Sequence, residues 1–409
     1  MTASTHPDLT KIDLTDASVW EQGTPHEWLD ILRSEDPVHW HPESDGQGFW
    51  ALTRHADVHQ VSTSPGQFSS YAQGPLRLDP APDSLEQMRM IIIGMDPPDH
   101  RTFRGLVSKA FTPKTMSDLA DSLRAETARV VGELREKNNC EFVTEVAARI
   151  PMWSISELMG VPEADRHRLY ELSHALIDDQ DPEVAPTPET SMEASVEIFG
   201  YASEMAIRER ANPSGSLTSL LLEAEVDGRK LTDFEFTLFF MFLIVAGNET
   251  TRTASSHGLL TLLDHPDAMQ RLVQDPSLMP GAVEEILRWE PPIHHFRRTA
   301  TADLDLGGKR IAAGDKVLMW YPGSNRDPAV FEDPHTFRID RTPNAQQSFG
   351  IGEHFCLGAN LARLSLRLLF TELLGTVENI QLAAPPRRLH SNLINGIKEM
   401  QITYDVRER

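Results

Sequence analysis

Hydrophobic residues recur along most of the chain at the three- and four-residue spacing of helices, which predicts a mainly α-helical protein. This spacing predicts helices over Leu119–Leu134, Met152–Met159 and Ala359–Leu374. Asp-Pro pairs such as Asp275-Pro276 and Asp327-Pro328 punctuate the pattern and favour helix ends and turns. No repeat or low-complexity linker divides the chain, so we expect one domain over residues 1–409.

One predicted helix is apolar on nearly every side from Phe236 to Val245, which indicates that it is buried. It begins at Thr232-Asp233-Phe234-Glu235, a capping box in which the Thr232 hydroxyl and the Glu235 carboxylate satisfy free backbone N–H groups. It should continue to Leu263 and end before His265-Pro266. About 30 residues at 1.5 Å each would span roughly 45 Å, the width of a domain.

Two regions carry strand patterns instead. Val38-His39-Trp40 and Gly48–Leu52 flank a polar turn at Asp45-Gly46 and predict a hairpin. A second β-like region runs from Leu304 to Leu318 and turns at Gly307-Gly308. The predicted fold class is therefore mainly α with small β-sheets.

Composition narrows the classes of function. The chain is 40% hydrophobic, which excludes a disordered chain, and its net charge of −23 argues against nucleic-acid and anionic-membrane partners. Only Cys140 and Cys356 are present, so a secreted disulfide scaffold is excluded. The longest apolar run is shorter than the roughly 20 residues that a bilayer requires, and residues 1–15 lack the apolar core of a signal peptide. We expect a cytoplasmic protein.

The strongest chemical signal is the segment Phe349-Gly350-Ile351-Gly352-Glu353-His354-Phe355-Cys356-Leu357-Gly358. Cys356 lies just before a predicted helix, where free N–H groups and the helix dipole favour a thiolate. The flanking glycines allow the backbone to approach a large group closely. A lone cysteine in a tight turn is otherwise usually a buried structural residue.

This segment resembles the haem-binding loop of the cytochrome P-450 family, the haem-thiolate monooxygenases. Three further motifs of that family occur in the expected order: His100-Arg101-Thr102-Phe103-Arg104, Ala246-Gly247-Asn248-Glu249-Thr250-Thr251 and Glu285-Ile286-Leu287-Arg288. The resemblance spans nearly the whole chain. It implies a triangular helical prism with small sheets, a long central I helix, and haem b as cofactor.

The resemblance also implies a role for each matching residue. Cys356 would be the axial iron ligand, since a thiolate pushes electron density onto iron and favours O–O cleavage. Thr250 and Glu249 would deliver protons during oxygen activation, and Gly247 would leave room for O₂. Glu285 and Arg288 would form a buried structural pair near Phe337-Arg338. The cofactor-binding set is His100, Arg104, Ala246, Gly247, Arg298, Phe349, Gly350, His354, Cys356 and Gly358, of which His100, Arg104, Arg298 and His354 would meet the haem propionates. The neighbouring Arg297 keeps the choice of Arg298 open.

The resemblance places the substrate pocket among mainly apolar segments, which favours a hydrophobic small molecule: a terpenoid, a steroid or a fatty acid. The predicted lining residues are Phe242, Leu243, Val245, Ala246, Ile293, His295, Leu393 and Ile394. His294 and His295 could bond a substrate oxygen or only pack. We expect electrons from a separate ferredoxin and its NAD(P)H-dependent reductase, steered by a local basic patch. The patch would consist of Arg101, Lys109, Lys114, Arg363 and Arg367.

Three other functions fit some of these residues. A peroxide-driven haem hydroxylase is disfavoured because such relatives replace the acid–alcohol pair that Glu249 and Thr250 provide. A haem-based ligand sensor or carrier needs no proton relay. A hydrolase using Cys356 and His354 is disfavoured by their spacing of two residues and by the lack of a matching orienting acid.

Overall fold

The computed structural model is mainly helical with small β-sheets, so the predicted fold class is confirmed. It describes residues 8–44, 46–108, 113–177, 180–226 and 228–408. The α-helices of these residues are α1 (Ala17–Glu21), α2 (His26–Glu35), α3 (His55–Thr63), α4 (Pro82–Arg89), α5 (Asp99–Ser108), α6 (Pro113–Gly132), α7 (Arg149–Met159), α8 (Glu163–Ile177), α9 (Pro188–Ala211), α10 (Leu217–Glu223), α11 (Asp233–Asp264), α12 (Pro266–Gln274), α13 (Met279–Trp289), α14 (Tyr321–Ser324) and α15 (Ala359–Thr376).

The strands are short and widely separated in sequence. In chain order they are β1 (Val38–His41), β2 (Phe49–Leu52), β3 (Phe68–Ser69), β4 (Asn139–Glu141), β5 (Glu225–Val226), β6 (Arg229–Lys230), β7 (His295–Ala300), β8 (Leu304–Leu306), β9 (Lys309–Ile311), β10 (Lys316–Trp320), β11 (Val377–Leu382), β12 (Arg387–Arg388), β13 (Ile397–Glu399) and β14 (Gln401–Val406). The largest sheet has the strand order β1-β2-β10-β7-β3.

Both predicted β regions are confirmed. Strands β1 and β2 form the antiparallel hairpin, with Trp40 opposite Trp50. Strands β8 and β9 pair across the Gly307-Gly308 turn, where both glycines have the positive φ that such turns need. Strand β10 then pairs parallel with β2 and antiparallel with β7, which joins the two regions into one sheet.

Helix α11 crosses the molecule and has the bounds that the sequence predicts. Its capping box is present: the Thr232 hydroxyl accepts from the Glu235 N–H, and the Glu235 carboxylate accepts from the Thr232 N–H at 2.9 Å. The helix ends at Asp264, immediately before Pro266 opens α12. A Cβ at Gly258 would overlap the ring of Phe370, so this glycine allows α11 and α15 to cross closely.

Two apolar cores lie along α11 and leave its middle between them. The amino-terminal half contributes residues such as Phe236 and Phe240 to a core shared with α5 and α7–α10. The carboxy-terminal half contributes residues such as Leu259 and Leu262 to a core shared with α6, α13, α15 and the β11-β14-β4 sheet. The middle of α11, residues 245–251, therefore faces the space between the two cores.

Candidate active site

A cavity of about 450 Å³ lies beside the middle of α11. One wall is the segment that precedes α15 and contains Cys356, and the other walls come from α4, α5, α7, β7 and the chain near residue 393. The cavity has mainly apolar walls, and among the predicted pocket residues those that line it are Phe242, Leu243, Val245, Ala246, Ile293, Leu393 and Ile394. Pro75, Leu76 and Met88, which precede α5 in the chain, also line the cavity.

The backbone around Cys356 is bent by two glycines. Gly350 and Gly352 have φ angles of 69° and 71°, and a Cβ at Gly352 would lie 2.8 Å from the carbonyl oxygen of Ser62. The Cys356 N–H donates to the Phe349 carbonyl at 2.8 Å, which closes the loop. Cys356 keeps an exposed surface and lines the cavity, together with Phe349, Gly350 and Gly358.

The surroundings of Cys356 have opposite effects on the pKa of its thiol. Burial raises the pKa of the thiol, whereas the N–H groups of Gly358 and Ala359 and the charges of Arg104 and Arg363 favour the thiolate. In the protein alone burial dominates and the pKa is raised. A metal ion at this sulfur would deprotonate it outright, so the donor set suits a soft-ligated metal.

Cationic and hydrogen-bonding side chains meet at one edge of the cavity. His100, Arg104, Arg298 and His354 all line it. Burial lowers the pKa values of Arg104 and Arg298, and neither guanidinium forms an ion pair within the described ranges. Buried guanidinium groups without carboxylates require an anion to offset their desolvation. This edge therefore fits a ligand that carries carboxylates.

The two histidines at this edge differ in their contacts. Among the described residues neither ring nitrogen of His100 has a hydrogen-bond partner, and Nδ1 lies 3.8 Å from the nearest Glu353 oxygen. His354 Nε2 lies 3.3 Å from the Ser70 hydroxyl. Burial, and then the charge of Arg298, lower the pKa of His354 to about 2, so its ring is neutral and can donate one hydrogen bond.

The sequence could not decide whether Arg297 or Arg298 would meet the propionates, and the structure distinguishes the two. Side chains alternate across a strand, so β7 sends Phe296 and Arg298 to the cavity and His295 and Arg297 to the opposite face. Arg297 pairs with Asp79 at 2.6 Å instead. The same alternation makes the prediction that His295 lines the pocket wrong: its ring packs 4.5 Å from that of Trp320. His294 does not line the cavity either.

The acid–alcohol pair on α11 is split between two environments. Thr250 lines the cavity, together with Ala246 and Gly247, and its hydroxyl donates to the Ala246 carbonyl at 2.7 Å. Glu249 is fully buried and does not line the cavity; its carboxylate accepts from Arg252 and lies 3.7 Å from His174 Nδ1. A Cβ at Gly247 would first meet Ile155 of α7, at 3.2 Å.

Glu285 and Arg288 form a buried ion pair, and both side chains have no solvent exposure. Arg288 also donates to the carbonyls of Asn325 and Pro334, each at 2.9 Å. Glu285 accepts from the Arg338 N–H at 2.8 Å and from Arg341 Nε at 3.0 Å. Sequence reasoning missed Arg341, because no local pattern links it to α13.

Other cavity residues were also missed. Ile155 and Leu158 of α7 and Tyr321 line the cavity, and so does Phe239 of α11. The helical spacing in α7 is visible in the sequence, but nothing in it indicates which long-range neighbour the helix meets. Phe239 lies one turn before Phe242 and Leu243, so extending the α11 stripe by one turn would have found it.

The predicted basic patch is partly neutralised. Arg101 pairs with Glu353 at 2.5 Å, and Arg363 pairs with Glu284 at 2.5 Å while covering the Phe349 ring. Lys109 and the side chain of Lys114 lie outside the described residues. Arg367 remains partly exposed on α15. Among the helices that the structure describes, none is both long and apolar enough to cross a bilayer.

Comparisons with known proteins identify relatives along the chain. The Cytochrome P-450 family model matches residues 184–403. A steroid C26-monooxygenase of Mycolicibacterium smegmatis is 36% identical over 402 residues, covering 96% of this chain and 93% of that protein. A methyl-branched lipid omega-hydroxylase of Mycobacterium tuberculosis is 40% identical over 384 residues, covering 91% and 89%.

Solved structures are similar over the same length. A Mycobacterium marinum cytochrome P-450 in complex with pseudoionone superposes with a TM-score of 0.89 and 37% identity, covering 96% of this chain and 98% of that one. A Bacillus megaterium relative in complex with testosterone gives a TM-score of 0.82 at 29% identity, covering 93% and 99%.

Proposed function

The chain belongs to the cytochrome P-450 family, and from this premise we propose that it hydroxylates the methyl-branched alkyl end of a steroid or lipid. It is a haem b monooxygenase that uses O₂ and acts on hydrophobic substrates. The observation that carries the finer proposal is the apolar cavity that faces Cys356. Residues 1–409 are proposed to form one such domain.

Bound haem supplies the oxygen-activating chemistry, which no side chain of the protein provides. Cys356 would ligate its iron, with Phe349, Gly350 and Gly358 surrounding the sulfur and their loop fixing its position. Arg104, Arg298, His100 and His354 would hold the propionates, which supply the carboxylates that this cationic edge lacks. Glu285 and Arg288 act at a distance, by fixing the segment that leads to the cysteine loop.

Thr250 and Glu249 are proposed to manage protons. The Thr250 hydroxyl donates to the Ala246 carbonyl and Thr250 lines the cavity, so its oxygen can accept a hydrogen bond from a proton donor there. Glu249 lies on the side of α11 that faces His174, whose side chain is 24% exposed, and this is a route by which protons can enter from solvent. The presence of this pair favours O₂ over peroxide as the oxidant.

The apolar walls of the cavity and the names of two relatives together support the proposed substrate class. Phe242, Leu243 and Ile394 offer a substrate dispersion contacts but no hydrogen bond, so they suit a hydrocarbon end. One relative is named for steroid C26 and another for the ω position of a methyl-branched lipid. Both positions are terminal carbons of a branched alkyl chain, and that shared terminus is what we propose this cavity binds.

The test of this proposal is a titration of the ferric holoprotein, reading the low-spin to high-spin shift in its absorption spectrum. The ligands are cholestenone and testosterone, which differ in the alkyl side chain, and a terminally methyl-branched fatty acid with its straight-chain isomer. Cholestenone should bind at least about tenfold more tightly than testosterone, since each missing apolar group costs roughly 1–3 kcal/mol. The branched acid should bind more tightly than its straight-chain isomer, which has the same carbons but not the branched end. Mass spectrometry should then locate the new hydroxyl at the branched end.

Equal binding of all four ligands, or hydroxylation of the steroid rings, would contradict the proposed substrate class. No spin shift with any of them would contradict it as well.

We also propose a ferredoxin as electron donor, docking over the outer face of α15. Arg367 is the predicted patch residue whose charge is best placed to act there, since Arg101 and Arg363 already pair with carboxylates. Arg367→Glu should slow reduction of the haem by an acidic ferredoxin and flatten its dependence on salt. Arg310→Glu, on the exposed β8–β9 hairpin, is the control. Equal rates for both variants would argue against this docking face.

A further inference from the structure

A cluster of buried charges lies against the sheet, on the face of β7 opposite the cavity. Arg297 pairs with Asp79 at 2.6 Å, and Lys316 of β10 pairs with Asp79 at 3.0 Å. Lys316 also forms an ion pair with Glu43, which lies just after β1. The Glu43 carboxylate forms a second ion pair with Arg77, whose Nη1 lies 2.9 Å from the Glu43 oxygen. The Glu43 side chain has no solvent exposure, and those of Arg297, Lys316 and Arg77 are each less than one-tenth exposed.

This cluster holds one wall of the cavity. Pro75 and Leu76 line the cavity; Arg77 follows them directly, and Asp79 lies two residues further on. The Arg297 N–H donates to the Pro75 carbonyl at 2.7 Å, and its guanidinium donates to the Arg77 carbonyl at 3.3 Å. The segment 75–79 has no regular secondary structure of its own, so its position depends on these contacts.

Arg297 also contacts Arg298, one of the cationic side chains at the edge of the cavity. Arg298 Nη1 donates to the Arg297 carbonyl oxygen at 2.7 Å. The backbone of Arg297 therefore contacts both the segment that forms the wall and the guanidinium that faces the cavity. A displacement of Arg297 would disturb its contacts with both Pro75 and Arg298.

The charges make this arrangement costly to break. Partial burial opposes the ionised form of Asp79, but hydrogen bonds from Arg297 and Lys316 outweigh it and lower the pKa of the carboxyl. Removing that carboxylate leaves two buried cations with one fewer anion, and a buried ion that loses its partner is strongly unfavourable. Asp79 itself is 49% exposed, so replacing it creates no cavity in a core.

We propose that Arg297 is a positioning residue, held by Asp79, that fixes the Pro75–Leu76 wall relative to Arg298 and so sets how tightly the cavity closes on a substrate. This inference rests on the proposed function of the cavity. It assigns a role in substrate fit to charges that do not line the cavity.

The experiment compares three holoprotein variants with the wild type. Asp79→Asn removes the charge, Asp79→Glu keeps it, and Asp83→Asn removes an exposed charge from α4, four residues along the chain. Hydrogen–deuterium exchange of residues 71–79 is measured without substrate. Affinity is measured with cholestenone and with 4-phenylimidazole, an iron-binding apolar probe that does not depend on the native substrate.

In Asp79→Asn we expect faster exchange in residues 71–79 and roughly tenfold weaker binding of both ligands, the effect of losing about one charged hydrogen bond. Haem content should match that of the wild type. Asp79→Glu should recover most of the affinity, and Asp83→Asn should behave as wild type. A lower melting temperature with unchanged ligand affinity would mean a purely structural role and would overturn the inference, as would unchanged exchange.

The two proposals fail in different ways. If cholestenone does not bind the wild type but 4-phenylimidazole binding still weakens in Asp79→Asn, the substrate class is wrong and the role of Arg297 stands. If cholestenone binds both proteins equally, the role of Arg297 is wrong and the substrate class stands.

Discussion

The hydroxyl group of Thr250 can form hydrogen bonds both within its helix and toward the cavity. Its proton bonds to the Ala246 carbonyl, which leaves its oxygen free to accept from the cavity side. Thr250→Ala should therefore retain haem and substrate binding, but product formed per electron consumed should fall by roughly tenfold or more, with hydrogen peroxide appearing instead. Thr250→Ser, which keeps the oxygen, should remain largely coupled. Full coupling in the alanine variant would contradict the proton role.

Residues on strands were the hardest to predict individually. The sequence identified Arg297 and Arg298 as a pair and His295 as a pocket residue, but a strand's two faces exchange roles when its register shifts by one residue. The register of β7 is set by its pairing with β10, where Arg298 lies opposite Val317. That pairing is long-range, so the local pattern could not decide which side chain meets the cavity.

At the scale of elements, the ion pair of α13 fastens this helix to the chain between residues 325 and 341. Arg288 donates to three carbonyls of that chain in addition to Glu285, and Glu285 also binds Arg341. Arg288→Ala would leave the buried Glu285 without its closest partner, which typically costs about 3–5 kcal/mol. We expect this variant to fail to fold or to be purified without haem.

Arg338→Ala is the matched control for that variant. The Arg338 side chain is 39% exposed and, within the part of the chain that the structure describes, its ion pairs are with surface carboxylates alone. Its backbone N–H, which the substitution keeps, donates to Glu285. Exposed pairs contribute about 0–1 kcal/mol. Thermal unfolding of the two variants should therefore differ clearly. Similar melting temperatures would show that the buried cluster has no special structural role.

Helices with a strong local signal were predicted closely, whereas their packing was not. The apolar run and the capping box determined where α11 begins, and Pro266 determined where it ends. Glu249 illustrates the limit: its sequence position beside Thr250 is plain, yet a rotation of about 100° per residue directs it to Arg252 and His174 instead of the cavity. Arg252 lies three residues later on α11 itself, whereas only the packing of α8 against α11 reveals His174.

At the scale of the whole molecule, the cavity lies between two apolar cores. It is lined by arginine side chains that have no carboxylate partner among the described residues. Removing haem would leave the half-buried Arg104 and the buried Arg298 with no carboxylate pair from the described chain. The apoprotein should therefore melt at a lower temperature, because a ligand held at a thousand times its Kd contributes about 4 kcal/mol. Hydrogen exchange should rise first in α5 and β7, while the core around α6, α13 and α15 stays protected. Equal melting of both forms would contradict this expectation.

The overall architecture could be predicted only in part from physical patterns. Helical spacing and two β regions gave the class, but the prism and the site followed from motifs that resemble a family. The five-stranded sheet explains why: it joins β1 and β2 to β10 and β7, which lie far along the chain. Contacts of that separation leave no trace in local hydrophobic periodicity.

The central claim is that the Cys356 thiolate ligates haem iron beneath an apolar cavity, and ligation can be read directly from a spectrum. The measurement is the carbon-monoxide difference spectrum of the reduced holoprotein, for the wild type and for Cys356→His. We predict the strongly red-shifted Soret band of a thiolate-ligated haem in the wild type, and its replacement by the shorter-wavelength band of imidazole ligation in the variant. A wild type without the red-shifted band, or a variant that retains it, would contradict the account.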